Sequence, residues 1–343
     1  MGVLQILSQQ PGAGKTVLAA ALLVKLADSQ TPGAYYKPFS TGEDPNLEFI
    51  QQHLLAPFHC PAPPLPQPLP ANLDPSSGLP DAAGQPIKTA VEALRNSVDA
   101  VILDGPDLAA DTGLPASAAA QSTNIAGAKA LVLFRYSSAI TAAEITRTVE
   151  PFGANLAGIA LNRVTKHRVD EAKNGILAEV LSLGIPVAGL IPESRILQGP
   201  TVRQMAEILG ARWIQEPVNI DAPVEKFLIG GNIMDSGPEY YGRYDNQAVI
   251  VRSQRPDIQL ASLLAGTRCL VLTGGGEPTD YIKIEAMERD VPLMVVSTNT
   301  SDTVEALAPL AGLAQPLNLA KIRQFSGELD RHLDIDSLLA LLA

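Results

Sequence analysis

At 343 residues the chain has room for two domains. Apolar residues make up 46%, aromatic residues 4%, and the formal net charge is −11. That balance supports cores of Ala, Leu, Val and Ile, and it excludes a nucleic-acid partner, because no Lys/Arg run offers phosphates clustered positive charge. No stretch reaches the ~18 apolar residues of a membrane span, so no membrane insertion is expected. An apolar strand begins almost at Met1, which does not read as a secretory leader. Cys60 and Cys269 lie far apart and outside any metal spacing, as expected of reduced thiols. The expectation is a cytoplasmic protein.

The first element is the apolar run Val3-Leu4-Gln5-Ile6-Leu7. Ser8-Gln9-Gln10-Pro11-Gly12-Ala13-Gly14-Lys15-Thr16 follows, and then an apolar helix from Val17 to Leu26. Strand, glycine-bearing loop, Gly-Lys-Thr and helix form the layout of a phosphate-binding loop, with Gln9 where the standard pattern has glycine. In such a loop backbone N–H groups point at an anion, and glycine lets the backbone come close. Gly12, Ala13, Gly14, Lys15, Thr16 and Val17 are the expected phosphate cradle. Lys15 is expected to reach the β- and γ-phosphates, and the Thr16 hydroxyl to hold Mg²⁺.

Gly33 to Gly42 reads as a short strand ending in a turn, with Lys37 at its carboxyl end as a point charge for a phosphate or carboxylate. Glu43-Asp44 face Mg²⁺ or cap a helix from Pro45 to about Leu55. Residues 56–86 are crowded with proline and read as a long loop, open as either a lid or a tolerated insertion. Ile87 to Ser97 reads as a helix. Asp99 to Asp107 is a buried strand ending in carboxylates, where Asp104 and then Asp107 are the candidate Mg²⁺ ligands.

Ala130–Arg135, Leu156–Arg163 and Pro186–Arg195 read as further strands separated by helices, which gives a mostly parallel sheet with helices on both faces. Asn162 ends one strand, and its amide suits a purine edge or an ordinary loop. Val202–Leu209 is a helix stopped by Gly210. A second α/β pattern then runs through strands near 227–231, 248–251, 269–273 and 292–297. Asp257 and Asp302 are the expected helix caps, and two amphipathic helices lie between Leu319 and Ala343. Glycine turns at 230–231 and 274–276 follow strands, so an anion or metabolite effector in this second domain is a further expectation.

These motifs resemble one family. Gly14-Lys15-Thr16, Tyr36-Lys37-Pro38 with Thr41-Gly42, Asp104-Gly105, Asn162-Arg163 and Gly189-Leu190-Ile191-Pro192-Glu193 are similar to dethiobiotin synthetase and the cobyrinic acid a,c-diamide synthase group. Ile229-Gly230-Gly231, Asp257 to Ala261, Leu270 to Gly275, and Asn299-Thr300 with Thr303-Val304-Glu305 resemble a DRTGG-type domain. The pair resembles the N-terminal portion of long-form bacterial phosphate acetyltransferase. The resemblance implies a P-loop domain at 1–212 and a smaller α/β domain with C-terminal helices at 213–343. It implies ATP and Mg²⁺ as cofactors, with Thr41, Asn162, Pro192 and Glu193 joining the nucleotide site and Lys15 and Lys37 as the catalytic candidates. It also implies a homodimer.

In the resembling synthetases the loop carries acidic residues and a glycine-rich substrate turn lies downstream; here these are Gln9-Gln10-Pro11-Gly12-Ala13 and Pro106-Asp107-Leu108. The first expectation is therefore a regulatory module that binds nucleotide and reports to an unidentified protein partner. The alternatives are an ATP-dependent ligase activating a small carboxylate or carbamate, and an assembly protein with a vestigial nucleotide site.

Overall fold

The computed structural model describes residues 2–31, 33–40, 42, 44–70, 73, 78–108, 113–231, 237–310 and 316–343. Contacts divide the chain into two units, one of residues 1–193 with 325–343 and the other of 194–324.

The strands of the first unit are β1 (Gly2–Ser8), β2 (Gly33–Tyr36), β3 (Phe39–Ser40), β4 (Gln67–Pro68), β5 (Ala100–Asp107), β6 (Lys129–Arg135), β7 (Leu156–Val164) and β8 (Val187–Pro192). Six of them form one sheet in the order β2-β5-β1-β6-β7-β8. Every pair in it is parallel. This is the α/β parallel sheet the sequence predicts. The near-continuous apolar runs follow from strands covered on both faces. The chain leaves β1 toward β2 and β5 on one side and continues through β6 to β8 on the other, so the order reverses at β1. Ligands bind in open α/β sheets at the carboxyl end of that reversal. There the register sets Ser8 beside both Asp107 and Leu133.

The Lys15–Asp28 helix is buried along Leu18–Val24 and at Leu26. A helix apolar almost all round belongs inside a layered fold. The proline-rich segment departs from expectation. A helix begins at Asp81, within the expected loop, and runs to Arg95 with Pro86 inside it. Proline there forgoes a single backbone hydrogen bond, while Ala83, Gly84, Ile87, Val91 and Leu94 form one buried face. Upstream, Gln67–Pro68 pairs with Phe39–Ser40, and the Gln67 amide donates to the Ala83 carbonyl at 2.7 Å.

The C-terminal segment differs as well. The sequence pattern groups both tail helices with the second domain, but residues 325–343 pack on the first unit. The Ser326 hydroxyl donates to the Ala21 carbonyl at 3.0 Å. Leu190 N–H donates to His332 O at 3.0 Å, Asp334 N–H to Ala188 O at 2.8 Å, and Gly2 N–H to Leu342 O at 3.2 Å. An amphipathic pattern says that a helix packs, not on what. Gly189 makes this docking possible: its φ is +145°, and a Cβ there would stand 2.2 Å from His332 O. Gly189→Ala is expected to cost about 2 kcal/mol or more, read as a lowered Tm with faster proteolysis of the tail.

The second unit holds β9 (Arg212–Trp213), β10 (Lys226–Gly230), β11 (Gln247–Arg252), β12 (Cys269–Thr273) and β13 (Leu293–Val295) in the order β10-β11-β12-β13-β9. The first four are parallel, and β9 is antiparallel to β13. Side chains alternate between two cores. Ala248, Ile250, Cys269 and Val271 join one cluster, and Val249, Val251, Leu270 and Leu272 join the other. Burial pushes the Cys269 thiol up to about 12, so it packs as a small apolar group. The helix expected at 202–209 runs over those residues, with Thr201 and Gln204 forming a capping box. Two expected caps move. Asn299, not Asp302, caps Thr300–Leu307. Asp257 sits in the first turn of Pro256–Leu264, paired with Arg255.

Candidate functional site

β1 ends at Ser8, and the loop from Gln9 to Gly14 delivers the chain to the first turn of the Lys15–Asp28 helix. Gly14 occupies the N-cap position with φ +98° and offers no side-chain cap. The first-turn N–H groups are thus left to face whatever enters. A Cβ on Gly14 would also meet Asn162 Nδ2 at 2.6 Å, so glycine serves both the turn and the neighbour. Gln9 stands where the phosphate-loop pattern has glycine. Its amide donates to Glu144 on the Ala142–Val149 helix.

Lys15 and Thr16 meet the end of β5. Lys15 Nζ pairs with Asp107 and donates to Ser8 Oγ at 2.9 Å. The Ser8 hydroxyl donates to Asp107 Oδ1 at 2.7 Å, with the Gln10 carbonyl oxygen 2.8 Å away. Thr16 Oγ1 donates to Asp104 Oδ2 at 2.6 Å, and the Tyr35 hydroxyl donates to the same oxygen at 2.8 Å. Asp104 is 1% exposed, and its second oxygen, Oδ1, has no donor among the described residues. Burial raises the Asp104 carboxyl above the usual carboxylate range, against the opposing pull of Lys15, Thr16, Lys37 and Tyr35. Burial, and then the Asp104 charge, push the Tyr35 phenol well above its ordinary value.

Lys15, Thr16, Asp104 and Asp107 line one cavity of about 440 Å³, joined by Lys37, Phe39, Ser40 and Leu69. That size lies within the range of small-molecule sites. Lys37 is held by Asp44, whose other oxygen accepts from Asn46 N–H at 3.0 Å and caps the next helix. The expected residues therefore divide. Gly12, Ala13, Gly14 and Val17 shape the loop and the helix start. Asn162 serves the loop backbone: its Nδ2 donates to Ala13 O at 2.7 Å, and its Oδ1 accepts from Arg163 N–H at 2.7 Å. Pro192 ends β8, and Glu193 N–H donates to Val164 O at 2.8 Å; neither lines the cavity. Thr41 lies outside the described residues.

Sequence reasoning missed Ser8 and Tyr35. Ser8 ends β1 and Tyr35 stands one residue before the end of β2, and that position near the carboxyl edge of the sheet was their only signal. Leu69 brings part of the proline-rich segment to the cavity wall.

The role of Asn162 is testable. Asn162→Ala removes the brace on Ala13 and is expected to cost about 1 kcal/mol, read as a lowered Tm. An unchanged Tm would show that the loop backbone does not depend on this amide.

Comparison with known proteins adds the following. Residues 204–310 match the DRTGG domain model. The chain is 28% identical over 207 residues to the phosphate acetyltransferase of Nitratidesulfovibrio vulgaris, a match covering 54% of this chain and 28% of that protein. MinD cell division protein of Aquifex aeolicus aligns at a TM-score of 0.36 and 17% identity, over 57% of this chain and 83% of its own. The CBS and DRTGG domains of the regulatory region of Clostridium perfringens pyrophosphatase, complexed with the activator diadenosine tetraphosphate, align at 0.29 and 16% identity. That alignment covers 48% of this chain and 75% of the other. Among the described residues, no helix is long and apolar enough to cross a membrane.

Proposed function

We propose that the first unit binds Mg-ATP and that the chain acts as a regulatory or sensory module, passing its nucleotide state to a protein partner. One observation carries this reading. Lys15, Thr16, Asp104 and Asp107 converge on a single cavity at an uncapped helix N-terminus, and the buried Asp104 Oδ1 there lacks a partner.

The donor set fits Mg²⁺, a hard cation held by one or two carboxylates together with phosphate oxygens and water. Among the described residues there is no group of three or more His, Cys, Asp or Glu that could hold a metal. The rest of its shell would come from the nucleotide. Mg²⁺, when bound, supplies positive charge to the β- and γ-phosphates. The chain's own part is to bind and orient. Helix N–H groups and Lys15 receive phosphate oxygens. Asp104 and Thr16 offer oxygens to the metal. Tyr35 and Asn162 hold those groups in place.

The resemblance to phosphate acetyltransferase and the DRTGG region support the regulatory side of the reading. Asp107 pairs with Lys15 in the same cavity. One observation favours a second reading: Lys37 and Ser40 line the same cavity as Lys15. A lysine and a hydroxyl beside a γ-phosphate suit an ATP-dependent ligase that activates a small carboxylate or carbamate.

Calorimetry with Mg-ATP, run beside phosphate release with and without small carboxylates, separates the two. Binding with negligible hydrolysis supports the regulatory module. Turnover stimulated by a carboxylate and lost in Lys37→Ala supports the ligase. No binding at all overturns both.

A further inference from the structure

The second unit has a cavity of its own, of about 810 Å³. It opens at the carboxyl edge of the parallel strands β10, β11 and β12, which end at Gly230, Arg252 and Thr273. Its lining mixes two chemistries. Arg252, Thr273, Thr300 and Ser301 contribute a charge and hydroxyls. Ile229 and Val304 contribute apolar surface, and Ile229 is 47% exposed. We infer that this cavity binds a small phosphate monoester carrying a flat organic group, of the size and kind of a nucleoside monophosphate.

Three observations carry the inference. Arg252 lines the cavity, is exposed and makes no ion pair among the described residues. A guanidinium offers a planar fork of donors suited to phosphate oxygens. The Thr273 and Thr300 hydroxyls lie 3.1 Å apart, bringing the end of β12 to the start of the Thr300–Leu307 helix on the side of Arg252. Next along the chain from Arg252, Ser253 is 7% exposed and its hydroxyl has no partner among the described residues. That oxygen lies 2.7 Å and 4.0 Å from where a Cβ on Gly276 and on Gly274 would stand, at the glycine turn that follows β12.

The apolar part of the lining explains why a bare ion would not suffice. Ile229 is a large exposed side chain, and a flat ring laid on it and Val304 removes apolar surface from solvent. Glu305 also lines the cavity. Its carboxylate can accept hydrogen bonds from sugar hydroxyls. This site stands on residues of the second unit alone, so it does not depend on nucleotide binding at Lys15.

The test is calorimetry of the full chain with AMP and with inorganic phosphate, both without Mg²⁺, on wild type, Lys15→Ala, Arg252→Ala and Ile229→Ser. AMP is expected to bind wild type and Lys15→Ala equally and at least tenfold tighter than phosphate. Arg252→Ala is expected to lose tenfold or more for AMP, and Ile229→Ser to bring AMP toward the affinity of phosphate. Arg252 and Ile229 are both exposed, and circular dichroism of each variant confirms that the unit is folded. Three outcomes overturn the inference: no AMP binding at millimolar concentration, binding lost in Lys15→Ala and kept in Arg252→Ala, or AMP no tighter than phosphate.

Discussion

Lys15→Met is expected to weaken Mg-ATP binding roughly a hundredfold. A hydrogen bond from a charged donor contributes about 1.5–3 kcal/mol net, which is a factor of about ten to a hundred and fifty in affinity. Lys15 is the one lysine at the loop-to-helix junction, and its ammonium already sits among anionic and hydroxyl oxygens from Asp107 and Ser8. Phosphate would take over what Asp107 now supplies. The same substitution has a structural side. It leaves the Asp107 carboxylate, only 17% exposed, without its cation, so the ligand-free protein is expected to lose about 1 kcal/mol. The double variant Lys15→Met with Asp107→Asn separates the two effects, because it removes both charges together. Its Tm should return toward wild type while its affinity for Mg-ATP stays low. Wild-type affinity in Lys15→Met would show that this loop is not the phosphate site.

That experiment rests on the part of the molecule that the sequence makes easiest to read. Gly14-Lys15-Thr16 sits between an apolar strand and an apolar helix, and all the information is local. The parallel sheet is legible for a similar reason: buried strands such as Val101–Leu103 and Leu131–Phe134 read as apolar runs. What was not legible depends on partners far along the chain. Tyr35 becomes part of the site only because β2 pairs with β5 and carries its hydroxyl to Asp104. Asn162 advertises a donor and an acceptor, but its residue type cannot say that both are used by the backbone at Ala13 and Arg163. Asp107 reads as a metal ligand by position, but residue type alone does not say that it also pairs with Lys15. The helix start at Asp81 is hidden because the proline-rich composition reads as helix-breaking, while the buried face of Ala83, Ile87 and Val91 that outweighs it shows only in the fold. The tail escaped because its destination is fixed by backbone groups of Ala188, Gly189 and Leu190, which carry no side-chain signature.

Asp104→Asn is expected to act in opposite directions on stability and on function. Burial is the largest influence on this carboxyl and raises it, with Lys15 and the Thr16 hydroxyl opposing. A raised carboxyl binds its proton more tightly in the folded chain than in the unfolded one. Stability therefore falls as pH rises from the unfolded value, about 3.9, through the higher folded value, and the penalty is complete above it. The asparagine carries no charge to bury, and its oxygen can still accept from Thr16 and Tyr35. Ligand-free Asp104→Asn should melt above wild type at pH 8, by about 2–4 °C for each kcal/mol in a domain of this size. The gap should close as pH is lowered through the folded value, where the wild-type group takes up its proton. Binding should move the other way. Without an anionic oxygen at Oδ1, the gain in ATP affinity on adding Mg²⁺ should disappear, leaving affinities with and without the metal about equal. A carboxylate kept buried and short of a donor at a cost in stability is what a metal-nucleotide site requires. If the variant melts below wild type at every pH and keeps its full response to Mg²⁺, Asp104 is a structural acid and the metal belongs elsewhere.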